Sequence, residues 1–143
     1  MNMSKEVALK AIDFLVARSG SRRNLEVDFF GGEPLLNMDV VKETVKYARS
    51  IEDRHGKNFR FTTTTNAYAL SDEDIEFFNK EMYNVVLSID GRKDVHNRVR
   101  KTAGGQDSFD KIVENALRFR KSRGDKQYYI RGTFTSFNKD FAT

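Results

Sequence analysis

A glycine-rich turn is the first feature of this 143-residue chain that could do chemistry. Gly31-Gly32-Glu33-Pro34 follows an apolar, strand-like segment. Two glycines let the backbone come close to a ligand and offer it N–H and C=O groups, while Pro34 biases Glu33 toward an extended conformation. The motif contains neither Gly-Lys-Ser/Thr nor Gly-x-Gly-x-x-Gly, so it does not indicate phosphate binding. An ordinary glycine-rich turn after a strand is the alternative interpretation.

Polar side chains also close the later apolar segments. Thr65 and Asn66 follow a segment rich in phenylalanine and threonine. Ser88 and Asp90 are two residues apart, so on a strand they point to the same side, where a hydroxyl and a carboxylate suit sugar hydroxyls. Arg131 lies inside another strand-like segment, where an arginine needs a partner such as a carboxylate. For each of these residues, a purely structural role at a strand end is the alternative.

Parallel strands would bring these motifs to one place. The carboxyl ends of parallel strands meet at one edge of the sheet, and ligands of α/β folds bind there. The combined chemistry matches an amino acid joined to a nucleoside. Its amine would meet the turn carbonyls, its ribose Ser88 and Asp90, and its carboxylate Arg131.

The hydrophobic pattern predicts helices and strands in strict alternation. The helices span 4–19, 38–55, 71–82 and 108–122; the strands span 25–30, 58–65, 84–90 and 128–135; residues 91–107 form a long polar loop, and 138–141 begin another helix. Helices between successive strands indicate right-handed βαβ units, and therefore an α/β fold with four parallel strands. Four such strands form either an open doubly wound sheet or an arc of a barrel.

Composition excludes several classes of site. The chain has no cysteine and two histidines, His55 and His96. A disulfide framework, a zinc–thiolate site, a cysteine nucleophile and a self-contained iron–sulfur cluster are therefore excluded, and no metal site is predicted. The net charge of +4 comes from interleaved acidic and basic residues, which does not favour a nucleic-acid surface. No apolar stretch is long enough to span a membrane and the N-terminus does not resemble a secretory signal, so we expect a cytoplasmic protein.

The motif series resembles the radical S-adenosylmethionine (SAM) superfamily. The resemblance rests on four segments in the same order: Phe29 to Leu35, Thr64-Thr65-Asn66, Ser88 to Gly91 with His96-Asn97-Arg98, and Tyr128 to Thr135. Within the superfamily, the chain looks most like peptide and protein maturases, which include the six-cysteine ranthipeptide maturases and the anaerobic sulfatase-maturating enzymes. The resemblance covers essentially the whole chain.

The resemblance implies a fold, cofactors and a reaction. The fold would be an arc of a (β/α)6 partial TIM barrel, and the parent enzyme would hold SAM and a 4Fe–4S cluster. Reductive cleavage of SAM gives a 5′-deoxyadenosyl radical, which takes a hydrogen from a precursor peptide or protein. By motif position, the cofactor-binding residues would be Gly31, Gly32, Glu33, Pro34, Thr65, Asn66, Ser88, Asp90 and Arg131, and the substrate would meet His96 and Arg98.

Two departures qualify the resemblance. The Cys-x3-Cys-x2-Cys cluster motif is absent, and Ala67 stands where the family usually has glycine. We therefore expect residues 1–143 to be one partial core domain, running from the first barrel helix to the fifth strand, truncated at both ends and inactive alone. The chain would be either an excised piece of a larger enzyme or a degenerate homologue. The strands at 25–30 and 128–135 would be exposed edges through which the chain self-associates. The alternative is a non-enzymatic α/β module that binds a nucleotide-like ligand or a peptide partner.

Overall fold

A computed structural model describes residues 2–136 and 138–139 and confirms the α/β fold. The elements are α1 Lys5–Arg18, β1 Asn24–Phe29, α2 Met38–His55, β2 Asn58–Thr65, α3 Asp72–Glu81, β3 Met82–Ser88, α4 Lys93–Val99, α5 Phe109–Arg123 and β4 Tyr128–Arg131, with a short 3-10 helix at Pro34–Asn37. Their order follows the predicted alternation, with α4 as an addition.

Local end signals explain where several helices begin and end. The Ser4 hydroxyl accepts a hydrogen bond from the Val7 N–H and so caps α1. Ser71 and Asp74 bond reciprocally at the start of α3, which satisfies two N–H groups that the helix leaves unpaired. Gly56 ends α2 with φ of 61°, a left-handed conformation that glycine adopts without strain.

The structure differs from the prediction in two segments near the carboxyl ends of the later strands. The predicted loop 91–107 contains helix α4, which buries Val95 and His96. The last strand ends at Arg131 instead of residue 135, because the Thr133 N–H bonds to the Asp90 carboxylate at 2.7 Å. The helix predicted to begin at 138–141 lies largely outside the described residues.

Strand order identifies the sheet as an arc of a barrel. All four strands are parallel and follow the order β1-β2-β3-β4. A doubly wound sheet would reverse its order at a switch point, and this sheet does not. The helices pack on one face of the sheet around a single core. Its fully buried side chains include Val45, Phe59, Phe61, Phe78, Val85, Leu87 and Phe119.

The other face of the sheet, here called the open face, lies opposite this core. Alternation along the strands directs to it the side chains of Glu26, Asp28, Arg60, Thr62, Thr64, Asn84, Val86, Ser88, Tyr129 and Arg131. β1 and β4 are the two outer strands, so each has one edge unpaired among the described residues. Within the same part of the chain, every helix is too short or too polar to cross a bilayer.

Candidate functional site

The parallel order brings the predicted site residues to one edge of the sheet. The glycine turn follows β1, Asn66 follows β2, and Ser88 and Arg131 end β3 and β4. Ser88 and Arg131 are register partners in neighbouring strands. The carboxyl-terminal edge of the sheet therefore carries all four motifs.

The Glu33 carboxylate ties the glycine turn to the end of β2. One oxygen accepts hydrogen bonds from the Thr65 hydroxyl at 2.5 Å and the Leu35 N–H at 3.1 Å. The other accepts from the Asn66 N–H at 2.8 Å. The side chain is thus fully engaged within the chain, and the turn presents its backbone to the exterior.

Gly31 and Gly32 differ in whether their backbone conformation requires a glycine. Gly31 has φ of +133°, a conformation that other residues rarely adopt. Gly32 has an ordinary φ, and a Cβ on it would meet no atom within 4 Å. The packing of the described chain therefore does not require glycine at Gly32. A close approach by a ligand would require it.

Space for a ligand exists on both sides of this turn. A cavity of about 370 Å³ lies between α1, β1 and α2 and reaches Gly32 and Glu33. A second cavity of about 750 Å³ is lined by Glu33, Asn66 and Tyr68 together with the loop that follows α4. Glu33 lines both cavities. The three hydrogen bonds that its carboxylate accepts from Leu35, Thr65 and Asn66, here called the Glu33 bracket, therefore lie between them.

The side chains of Thr65 and Asn66 close the turn after β2. Thr65 Oγ1 accepts from the Ala67 N–H at 3.0 Å, and Asn66 Oδ1 accepts from the Tyr68 N–H at 2.8 Å. Ala67 has φ of 59°, the left-handed conformation that glycine favours, and Asn115 Nδ2 donates to its carbonyl at 2.7 Å. These bonds hold an alanine where the resemblance leads one to expect glycine.

The side chains of Asp90 and Ser88 differ in whether they form hydrogen bonds within the described chain. The buried Asp90 carboxylate accepts from Arg100 Nε at 2.6 Å and from the Thr133 N–H at 2.7 Å. It thereby joins the exit of β3 to the segments after α4 and β4. Ser88 is 5% exposed, and its hydroxyl makes no hydrogen bond within the described residues. Asp90 therefore has a structural role, while the Ser88 hydroxyl keeps its hydrogen-bonding capacity.

His96 belongs to a buried network beneath this edge. Its Nδ1 accepts from the Asp90 N–H at 3.1 Å, and its Nε2 lies 3.2 Å from the Ser108 hydroxyl. Burial lowers the pKa of His96 below its ordinary value, and the nearby Arg100 charge lowers it further. The side chain is fully buried, so the geometry does not support the predicted substrate contact. Arg98, in the same helix, is exposed and remains available.

Sequence reasoning missed two parts of this edge. Asn97 Oδ1 accepts from the N–H groups of Ser108 and Phe109 and so caps α5 from 11 and 12 residues away, a spacing with no sequence signature. The sequence indicates no partner for Phe30, yet the Arg131 guanidinium lies 5.5 Å from its ring centroid. That contact joins the outer strands across the open face, a long-range pairing for which the sequence carries no local signal.

The residues present do not fit an iron–sulfur cluster. The chain has no cysteine to supply a thiolate. In the part of the chain that the structure describes, no three histidine, aspartate or glutamate side chains are grouped to hold a metal ion. Any cluster ligands must therefore come from outside this chain.

Comparison with known proteins gives a family match over most of the chain. Residues 1–135 match the model of the Radical SAM superfamily. A cysteine-type anaerobic sulfatase-maturating enzyme of Clostridium novyi is 28% identical over 110 residues, covering 75% of this chain and 29% of that protein. A serine-type enzyme of the same name from Bacteroides thetaiotaomicron is 32% identical over 117 residues, covering 78% and 27%. The radical SAM cyclopropyl synthase TigE of Paramaledivibacter caminithermalis is 26% identical over 147 residues, covering 96% and 29%.

A solved structure supports the same fold. Native anSMEcpe with bound AdoMet and Kp18Cys peptide aligns with a TM-score of 0.79 at 24% identity, over 90% of this chain and 34% of that one. At this identity, the likeness concerns the fold alone. The chain spans less than a third of the length of the curated relatives described above.

Proposed function

Because the chain belongs to the radical SAM superfamily, we propose that it forms the SAM-binding wall of an enzyme that modifies a peptide or protein. The Glu33 bracket carries this proposal. It holds the glycine turn in place with three hydrogen bonds and leaves the turn backbone facing open space. A rigid turn with exposed backbone groups is suited to the amino group of SAM.

The other residues of the edge would take the remaining parts of SAM. The exposed Arg131 guanidinium would pair with the methionine carboxylate, since arginine grips a carboxylate with two hydrogen bonds. The Ser88 hydroxyl, which has no partner in the described chain, would bond the ribose. Thr65 and Asn66 would line the pocket. Asp90 would act indirectly, by holding Arg100 and the segment after β4 in place.

The chain alone is not expected to cleave SAM. In this superfamily, SAM supplies a 5′-deoxyadenosyl radical when an iron–sulfur cluster reduces it, and this chain offers no thiolate for a cluster. The cluster and its cysteines would come from other parts of a parent enzyme. The chain's own contribution would be to bind and orient SAM.

A peptide or protein substrate is supported by the relatives. They include sulfatase-maturating enzymes, and the similar solved structure holds a peptide. On this chain, Arg98 is an exposed candidate for a substrate contact.

The outer strands support self-association. β1 and β4 each present an unpaired edge in the described chain, and exposed edges template strand pairing. β4 also carries an exposed apolar side chain, since Ile130 is 60% exposed. We expect copies of the isolated chain to associate through these surfaces.

Nuclear magnetic resonance (NMR) titration with S-adenosylhomocysteine tests the proposed site. We expect weak binding, with amide shifts at Gly31, Gly32 and Ser88. Arg131→Gln should weaken binding at least about tenfold, because a hydrogen bond to a charged group contributes roughly 1.5–3 kcal/mol and about 1.4 kcal/mol is a factor of ten. The control is Arg98→Gln, which changes an exposed arginine outside the proposed cofactor site.

Two results would change the conclusion. Shifts confined to other regions, or equal effects of the two arginine variants, would refute the proposed site. Tight binding by the isolated chain would favour a non-enzymatic module that binds a nucleotide-like ligand, an alternative that the missing cysteines keep open.

A further inference from the structure

Three polar side chains lie in one row across the open face. The sheet register pairs Asp28 with Thr62 and Thr62 with Asn84. Register partners in neighbouring parallel strands point to the same face, and strands are about 4.8 Å apart, so the row spans roughly 10 Å. A carboxylate, a hydroxyl and an amide therefore stand side by side, two layers below the pair formed by Ser88 and Arg131.

The described residues provide no hydrogen-bond or ion-pair partner for the side chains of this row. In the described part of the chain, these three side chains make no hydrogen bond and no ion pair within 4 Å. The Asn84 Oδ1 atom is buried and has no partner. Buried polar atoms in folded proteins nearly always have a partner, so the missing partner points to a group from outside the described chain.

The neighbouring charged side chains on the open face, unlike Asp28, have partners within the chain. Glu26 lies 4.0 Å from Arg60, and the Arg60 guanidinium stacks on the Tyr83 ring at 4.9 Å. Arg131 rests on Phe30 and acts on Asp28 only at longer range. Burial raises the pKa of Asp28, and the Arg131 charge partly opposes that rise. Asp28 thus stays without a close cation while its neighbours are engaged.

The chemistry of the row selects its ligand. An ionised carboxylate and an amide oxygen only accept hydrogen bonds, and a hydroxyl can accept as well. We propose that Asp28, Thr62 and Asn84 form a subsite for a cationic donor group of the substrate peptide, an ammonium or a guanidinium. This inference rests on the proposed function, because the occupant is the peptide. The row would help select substrates that carry a lysine or arginine near the modified residue.

Short peptides test the subsite on the isotope-labelled chain. The probes are Ac-Gly-Gly-Lys-Gly-Gly-NH2 and its counterparts with arginine or norleucine in the central position. We expect the lysine or arginine peptide to shift the NMR signals of Thr62 and the Asn84 side-chain amide, and the norleucine peptide to leave them in place. The response to lysine compared with arginine distinguishes an ammonium from a guanidinium ligand.

Isosteric variants separate a specific contact from general attraction. Asp28→Asn removes the charge and keeps the shape, and should raise the dissociation constant of the cationic peptide at least fivefold. Glu26→Gln lies on the same strand and the same face, and should change it less than twofold. Equal binding of the norleucine peptide, or equal effects of the two variants, would overturn the subsite.

Titration with S-adenosylhomocysteine distinguishes this inference from the proposed function. Its shifts at Gly31 and Gly32 should survive Asp28→Asn, because the row lies a layer away from the turn. If those shifts occur and Asp28→Asn does not change the dissociation constant of the cationic peptide, the subsite is wrong and the proposed function stands. If the cationic peptides depend on Asp28 and S-adenosylhomocysteine binds nowhere, the row is upheld as a cation subsite and the proposed function fails.

Discussion

Replacing Glu33 by glutamine changes one oxygen of the bracket into an NH2 group. If the amide oxygen faces Thr65 and Leu35, the NH2 group opposes the Asn66 N–H. If it faces Asn66, the NH2 group opposes the Leu35 N–H. The Thr65 hydroxyl can rotate to accept, but a backbone N–H cannot. Either orientation therefore leaves one backbone donor without an acceptor.

The size of the effect follows from that count. An unsatisfied buried donor costs about 1–3 kcal/mol, and hydrogen bonds to a carboxylate are roughly twice as strong as neutral ones. Glu33 is half-buried, so water can recover part of the loss. We expect Glu33→Gln to lower the free energy of unfolding by about 2 kcal/mol, and the melting temperature by roughly 6 °C for a chain of this size.

Urea unfolding followed by circular dichroism measures the change. The matched control is Glu76→Gln, since Glu76 is exposed on α3 and makes no ion pair within the described residues. A surface change of this kind should stay within about 0.5 kcal/mol. If the two variants unfold at the same urea concentration, the bracket does not hold the turn and the reasoning is wrong. Amide shifts of Leu35 and Asn66 in the folded variant would locate the lost bond.

Three further outcomes are expected. Arg123 is 2% exposed and donates hydrogen bonds to backbone carbonyls of α3, β3 and the turn before β4. Arg123→Lys should therefore lower the free energy of unfolding, measured in urea, by about 2–4 kcal/mol. The same change at the exposed Arg120 should lower it by less than about 0.5 kcal/mol. Burial lowers the pKa of His96 in the folded state, so the unfolded chain takes up the proton first and stability should fall as pH drops below about 6.5. That slope should vanish in His96→Gln and persist when the exposed His55 is changed instead. Analytical ultracentrifugation at micromolar concentration should show association that Ile130→Lys reduces, and a purely monomeric wild-type chain would contradict the exposed-edge argument.

The main elements were predictable because their signals are local. α2 and β2 have the bounds that their patterns predict, Met38–His55 and Asn58–Thr65. Apolar spacing, capping residues and Gly56 all act within a few residues of the element they shape. Helix α4 shows the limit of this reasoning. It has seven residues of mixed polarity, and so short a helix has no detectable periodicity.

The sequence by itself determined the order of the four strands and the longer helices, and the place of each motif at a strand end. The tertiary structure alone decided which polar side chains are engaged and which remain open. Glu33 bonds to groups 32 and 33 residues away, and Asp90 to one 43 residues away. A hydrogen bond requires its atoms to lie within about 3 Å, and only the register of the packed strands brings such distant residues that close. The same register places Asp28, Ser88 and Arg131 on the open face of the sheet.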